Sequence, residues 1–242
     1  MEVPFVIAGM DELVARDTWW EEHSHPTHEL LWNESGSSRV TVESRTWTIT
    51  STSGLWMPAG LLHSGSASAG TWYRAAQFGI ASAPALSTSP VAIEITPLLR
   101  LLLERLAEQS LTERSRSLTE SMVIDLLAPS RHELLVHVPD APLLRPIVEA
   151  LGNDPRDSRT LSAWAAQLGV SPRTITRVFQ AETGLSFGRW VATVRVQRAM
   201  VLLGHGLELH EVAEHVGYRS ASAFGAAFRR ATGSTPGMFR DF

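Results

Sequence analysis

The hydrophobic and polar positions change their period along the chain. Residues 39–43 (RVTVE) and 46–50 (TWTIT) alternate with period two and are rich in β-branched and aromatic side chains. Successive side chains of a strand point to opposite faces, so both segments predict strands. Residues 30–33, 54–58 and 71–80 supply further short strands, and Gly36, Ser44-Arg45, Ser53-Gly54 and Ser64-Gly65 read as turns between them. Many short strands at this spacing predict a small β-sandwich or barrel. Beyond it the period becomes helical. Residues 97–111 (PLLRLLLERLAEQSL) place Leu98, Leu101, Leu102 and Leu106 at helical intervals, and residues 118–128 continue with Met122, Val123, Leu126 and Leu127. Pro129, Pro139 and Pro142 then mark a linker, and a further helix is expected near 143–151.

In the last third one pattern occurs twice. Ala165-x3-Gly169-x5-Ile175-x3-Phe179-x4-Gly184 returns as Ala213-x3-Gly217-x6-Phe224-x3-Phe228-x4-Gly233. In the first copy Trp164, Leu168, Val170, Ile175 and Val178 stand where two crossed helices bury side chains against each other. Ala165 is small where the second helix passes over it, and Gly169 sits at the turn, where positive φ costs a glycine little. Ser171-Pro172 opens the next helix as an N-cap followed by proline at the first position. Ala213, Gly217 and Ser220 repeat these parts. One copy also suits an ordinary helical hairpin; two in register predict paired helix-turn-helix units and hence DNA binding.

The residues that carry this pattern resemble the DNA-binding domain of the AraC/XylS transcription regulators. The matching words are Thr160-Leu161, Val170-Ser171-Pro172-Arg173-Thr174-Ile175 through Phe179, Glu182-Thr183-Gly184, Val212 to Tyr218, Ser222-Ala223-Phe224 through Arg230, and Thr235-Pro236. The resemblance covers about 143–242 and implies two helix-turn-helix units joined by a long helix near 187–203. With Ile175, Val178 and Phe179 facing inward, Arg173, Thr174, Thr176 and Arg177 are left to face a major groove. An arginine there reads guanine O6 and N7 in bidentate fashion, or else only neutralises a phosphate. On the second helix Arg219, Ser220 and Ser222 are the polar candidates among otherwise small residues, so backbone contacts are expected of that unit. Related regulators dimerise through helices placed like 97–111 and 118–128. These segments are accordingly read as a homodimer seam, with capping of the barrel as the alternative.

Charge sharpens the division. The chain has 242 residues, no lysine, 21 arginines and 25 acidic residues, for a net charge of −4. Residues 1–140 hold 9 arginines and 17 acids, a net of −8, whereas residues 141–242 hold 12 and 8, a net of +4. The global charge conceals the nucleic-acid partner that this asymmetry points to. There is no cysteine, hence no disulfide framework and no cysteine-based zinc finger. No leader-like segment or membrane-length apolar run is read, so a cytoplasmic protein is expected.

The first hundred residues hold a second constellation. His23-x-His25-x3-Glu29-x6-Gly36 precedes Pro58-x-Gly60-x2-His63. Residues 23, 25 and 29 share parity, so on one extended strand they project to one face, and His63 closes the set from across the barrel. Three imidazoles and a carboxylate suit zinc, iron, manganese or nickel. The pattern resembles the two motifs of the cupin superfamily. The second motif departs from it, with three residues instead of five between Gly54 and Pro58 and no trailing asparagine. His23, His25, Glu29 and His63 are therefore read as lining a sensor pocket. They act either as metal ligands or as the polar part of an organic-effector site, with His28 as a substitute for a neighbour.

The chain is thus expected to be an α+β two-domain protein. Residues 1–96 form a cupin-like sensor, 97–138 a helical dimerisation and linker region, and 139–242 an all-α double helix-turn-helix domain. Its expected function is regulation of transcription at a double-stranded operator in response to a small effector or metal, as a homodimer, with RNA polymerase as a partner if it activates. Two alternatives are a cupin metalloenzyme and an architectural DNA binder with a non-sensing barrel. No general base apart from the histidine cluster supports the enzyme, so no catalytic residue is assigned.

Overall fold

The computed structural model describes residues 6–239 except 82, 84, 109 and 131–133. The strands form two five-stranded antiparallel sheets, ordered β1-β8-β3-β6-β9 and β10-β5-β4-β7-β2. They are β1 (Ile7–Leu13), β2 (Thr18–His23), β3 (His28–Ser35), β4 (Ser38–Val42), β5 (Arg45–Ile49), β6 (Ser53–Met57), β7 (His63–Ala67), β8 (Trp72–Phe78), β9 (Val91–Glu94) and β10 (Leu135–His137). The chain divides into two compact units, Met1–Val40 with Ile49–Glu133, and Thr41–Thr48 with Leu134–Phe242.

In the first unit β3 is central and its faces are filled by large apolar side chains. Leu30, Trp32, Trp56, Phe78 and Ile93 are all buried in one cluster. The helices α1 (Pro97–Leu106) and α2 (Glu113–Leu126) complete that cluster with Leu99, Leu103, Leu106 and Val123. Thr96 and Thr112 cap the two helices through their hydroxyls, which satisfies amides that helix starts leave open. Leu98 and Leu101 on α1, and Leu118 and Met122 on α2, remain exposed.

Two expected turns are strand instead. Ser53-Gly54 opens β6 and Ser64-Gly65 lies inside β7. At both places glycine serves close approach rather than chain reversal. A Cβ on Gly54 would stand 2.7 Å from the Leu31 carbonyl oxygen, and one on Gly65 would stand 3.1 Å from the Trp20 ring. The hairpin turn between β4 and β5 also falls one residue earlier than expected, with Glu43 at φ 52° and Arg45 already in β5.

In the second unit the helices are α3 (Arg145–Asn153), α4 (Leu161–Leu168), α5 (Pro172–Thr183), α6 (Phe187–Gly204), α7 (Leu209–His215) and α8 (Ala221–Thr232). Two buried clusters share α6. Its N-terminal half gives Trp190 to a core of Ile147, Trp164, Ala165, Ile175 and Phe179. Its C-terminal half gives Val196, Ala199, Met200 and Leu203 to a core of Val212, Ala213, Val216, Phe224 and Phe228. The helix has 18 residues, about 27 Å, so one rigid rod carries a helix pair at each end. The segment Thr41–Thr48 and β10 close this unit. Leu135 pairs with Trp47 and His137 with Arg45, while α6 is fastened by Trp190 Nε1 to His137 O (2.8 Å) and Gln197 Nε2 to Thr46 O (3.2 Å).

Candidate functional site

His23, His25 and His63 converge so that one ring nitrogen from each lies within 4.8 Å of the others. The arrangement differs from the one that parity suggests. His23 ends β2, His25 lies in the following turn, and Glu29 belongs to β3 in the other sheet. His63 is the direct cross-strand partner of His23, on β7. The turn that holds His25 is stitched to the β6–β7 loop. Gly60 donates its amide to His25 O (2.8 Å) and Ala59 donates to His28 Nδ1 (3.0 Å). His28, stacked on Trp56, is thereby used structurally and stays outside the cluster.

Backbone carbonyls orient two of the rings. His23 Nδ1 lies 2.7 Å from Glu21 O and His63 Nδ1 lies 2.9 Å from Leu61 O. A carbonyl accepts only from N–H, so both Nδ1 atoms carry the proton and both Nε2 lone pairs are free. Burial, followed by the charges of the neighbouring histidines, lowers the pKa of His25. Burial lowers that of His63 as well, against the opposing pull of the Leu61 carbonyl. Both rings are therefore neutral at pH 7, the state that binds a metal.

Glu29 closes one side. Its Oε1 accepts from Gln77 Nε2, whose own Oε1 accepts from Thr27. Its Oε2 has no hydrogen-bond partner although the residue is 3 % exposed, and lies 3.6 Å from His25 Nε2. Burial pushes the carboxyl up to about 7, partly offset by Gln77. A neutral carboxyl or a nearby cation relieves the cost of such a buried anion. The donor set therefore suits a divalent transition metal: three imidazole nitrogens, two with fixed tautomers, and a carboxylate oxygen lacking a partner.

The cluster opens into a cavity of about 170 Å³, lined also by Met10, Trp20, Leu31, Val40, Gly65 and Tyr73. Trp20 stacks on Tyr73 with ring centroids 5.4 Å apart. Burial first, then the Glu29 and Glu12 carboxylates, raise the Tyr73 phenol, which stays protonated at neutral pH. Trp20, Tyr73 and Gln77 belong to this pocket and its hydrogen-bond network although no motif in the sequence marks them. Strict alternation sends Trp20 and His23 to opposite faces, but the β2–β7 register shifts between them. That bulge turns both into the cavity.

The second unit presents the helix-turn-helix geometry. Thr160 caps α4, and Gly169 ends it in the left-handed region at φ 66°. Ser171 caps α5 by accepting from the Thr174 amide (3.1 Å). Ile175 and Phe179 are fully buried, while Arg173, Thr176 and Arg177 are exposed and Thr174 is half-buried. Arg173 and Arg177 stand one turn apart on one face, with no ion-pair partner among the described residues. Thr176 donates its hydroxyl to Pro172 O, which leaves its lone pairs outward. In the second pair Gly217 has φ 79° and Ser220 caps α8. Arg219, Ser220 and Ser222 are exposed, and Gly225 has open space where a Cβ would be.

A family model described as an AraC-like ligand binding domain matches residues 13–127, and one described as a helix-turn-helix domain matches residues 164–241. Along 96 % of its length the chain is 30 % identical to the HTH-type transcriptional regulator NimR of Escherichia coli K12, covering 84 % of that protein. The chain belongs to the AraC family. It is a DNA-binding transcriptional regulator with an N-terminal ligand-binding domain. The HTH-type transcriptional regulator RipA of Corynebacterium glutamicum is 38 % identical over 52 % of this chain, which spans only 39 % of RipA. The C-terminal domain of AraT from Geobacillus stearothermophilus, a response regulator of known structure, is 32 % identical over 41 % of this chain and 84 % of that one, with TM-score 0.39. These relatives bear the names of regulators, and no helix among the described residues is long and apolar enough to cross a membrane.

Proposed function

We propose that this AraC-family regulator senses its signal through a divalent metal held by His23, His25 and His63, with Glu29 beside them. The observation that carries the reading is the convergence of three imidazoles on a buried carboxylate oxygen without a hydrogen-bond partner. Zinc, iron, manganese and nickel all accept such donors. At the DNA, Arg173 and Arg177 read base edges from α5, supported by Thr174 and Thr176. Arg219, Ser220 and Ser222 hold the phosphate backbone from the start of α8. Exposed Leu98, Leu101, Leu118 and Met122 form the seam of a C2 homodimer, which doubles the DNA footprint. The effector acts by binding one arrangement of the regulator better than another.

The test is the metal content of untagged, full-length protein purified without added metal. Near-stoichiometric zinc, iron, manganese or nickel is expected, and a His23→Ala/His63→Ala variant should lose it. A metal-free, folded protein that takes up none of these ions would overturn the metal reading and leave an organic-effector pocket.

A further inference from the structure

The histidine cluster opens onto a space of defined size with an aromatic wall, and both properties constrain what enters it. We infer that the effector is a single-ring molecule that donates a nitrogen or oxygen lone pair directly to the metal and packs its ring against Trp20 and Tyr73. The inference rests on the metal reading above.

Coordination arithmetic comes first. Three histidines leave a tetrahedral zinc ion one exchangeable position. A six-coordinate ion keeps two even when Glu29 binds it. Two of the three imidazoles are held from behind through Nδ1, by Glu21 O and Leu61 O. Their Nδ1 atoms are therefore occupied, and a metal held through their Nε2 atoms would border the space that all three histidines line.

Size comes next. About 170 Å³ is well below the roughly 300–1,000 Å³ of sites for drug-sized ligands. It is close to the roughly 150 Å³ of an apolar cavity that holds benzene. That volume matches one aromatic ring with room for its donor atom. The walls favour a flat and mainly apolar body: Met10, Leu31 and Val40 supply aliphatic surface and the Trp20–Tyr73 stack an aromatic face, while Glu12, Ser38 and Arg39 form a polar part of the lining. Gly65 keeps that face in place, because any side chain there would meet the Trp20 ring at 3.1 Å. A bare anion gains nothing from the ring wall, whereas a ring that carries a donor atom meets both the wall and the histidines.

The experiment uses the full-length protein loaded with Co(II), whose visible absorption reports its ligands. Pyridine and benzoate are the ring probes, azide is the small probe, and bound cobalt is counted by equilibrium dialysis. All three probes should change the cobalt spectrum. Trp20→Ala, at a half-exposed position, should weaken pyridine and benzoate at least tenfold and leave azide within twofold. One-ring probes should also bind at least tenfold more tightly than 1-naphthoate. If cobalt fails to bind, the metal reading itself falls and the inference with it. If cobalt binds and azide shifts its spectrum while ring probes do not, or Trp20→Ala weakens all three alike, the metal reading stands and the ring-ligand inference is overturned.

Discussion

Gly217 lies directly against Arg195: the Cβ that glycine lacks would stand 3.0 Å from a guanidinium nitrogen of Arg195 and 2.9 Å from the Cα of Arg156. Arg195 in turn donates Nε to Pro155 O (2.8 Å), Nη2 to Asp157 O (3.0 Å) and Nη1 to Gly217 O (3.4 Å). One guanidinium on α6 thus joins the loop ahead of the first helix pair to the turn inside the second. Arg195→Ala leaves three carbonyls without their donor and should cost roughly 3 kcal/mol in urea unfolding of the full chain. Arg195→Lys should recover little, because an ammonium lacks the planar fork. Gly217→Ala combines a positive φ with a backbone clash and should cost roughly 1–3 kcal/mol. An unchanged unfolding midpoint for both Arg195→Ala and Gly217→Ala would show that this contact does not hold the two helix pairs.

At the DNA the two helix pairs should behave differently. Arg177→Ala is expected to weaken binding to the duplex selected by the wild-type protein from a random library by roughly 10- to 100-fold, as for loss of a bidentate base contact. Binding to unselected DNA should fall much less. Arg219→Ala should weaken both duplexes alike and reduce the slope of log K against log salt by about one, the mark of a phosphate contact. Titrations at several salt concentrations separate the two patterns, and equal losses for Arg177→Ala would reduce that residue to a phosphate contact.

Glu29 gives the metal-free protein a pH dependence whose sign is fixed. Its carboxyl rises from the usual 4.5 to about 7 in the folded chain. Between those values the folded chain keeps a proton that the unfolded chain has released, so stability falls as pH rises through the window. Glu29→Gln removes this penalty. Relative to wild type at pH 4, the variant should gain up to about 3 kcal/mol by pH 7.5 and nothing further above it. The lowered His25 and His63 act in the opposite sense, favouring the fold as pH rises towards 6.5 and levelling off above it, but they are present in both proteins and cancel in the comparison. Chemical denaturation of chelator-treated samples across pH 4–8 measures the difference, and a flat one would remove Glu29 from the buried set.

Leu101 and Leu118 are 62 % and 59 % exposed although both are large and apolar. Leu101→Glu with Leu118→Glu should turn a dimer into a monomer in sedimentation equilibrium and leave the far-UV spectrum intact. A double variant that sediments as wild type would place the seam elsewhere.

The sequence was most legible where local chemistry decides structure. Ser171-Pro172, Gly169, Ser220 and Gly217 are caps and turns whose conformations depend on a few neighbouring residues, so the helix pairs fall where their spacing predicts. The β region was less legible because its glycines answer to distant partners. Gly54 fits under Leu31 and Gly65 under Trp20, and neither contact leaves a mark in nearby residues. The histidines were found by type and spacing, but their convergence follows from the pairing of His23 with His63 rather than from shared parity with Glu29. Trp20 is not legible because a bulge reverses its expected face, and Tyr73 and Gln77 are not because β8 meets β3 only in the folded sheet.

The unit that carries the helix pairs is not one continuous stretch, since it includes Thr41–Thr48 from within the sequence of the first unit. This bears on how such a gene can change. A recombination breakpoint in the linker would bring in foreign helices without the hairpin whose Thr46 and Trp47 meet α6 and β10. Simple end-to-end exchange of sensor and reader would therefore break the Gln197–Thr46 hydrogen bond and the pairing of β10 with β5. Changes in that eight-residue hairpin should instead track those in α6 across descendants, although some 150 codons separate them.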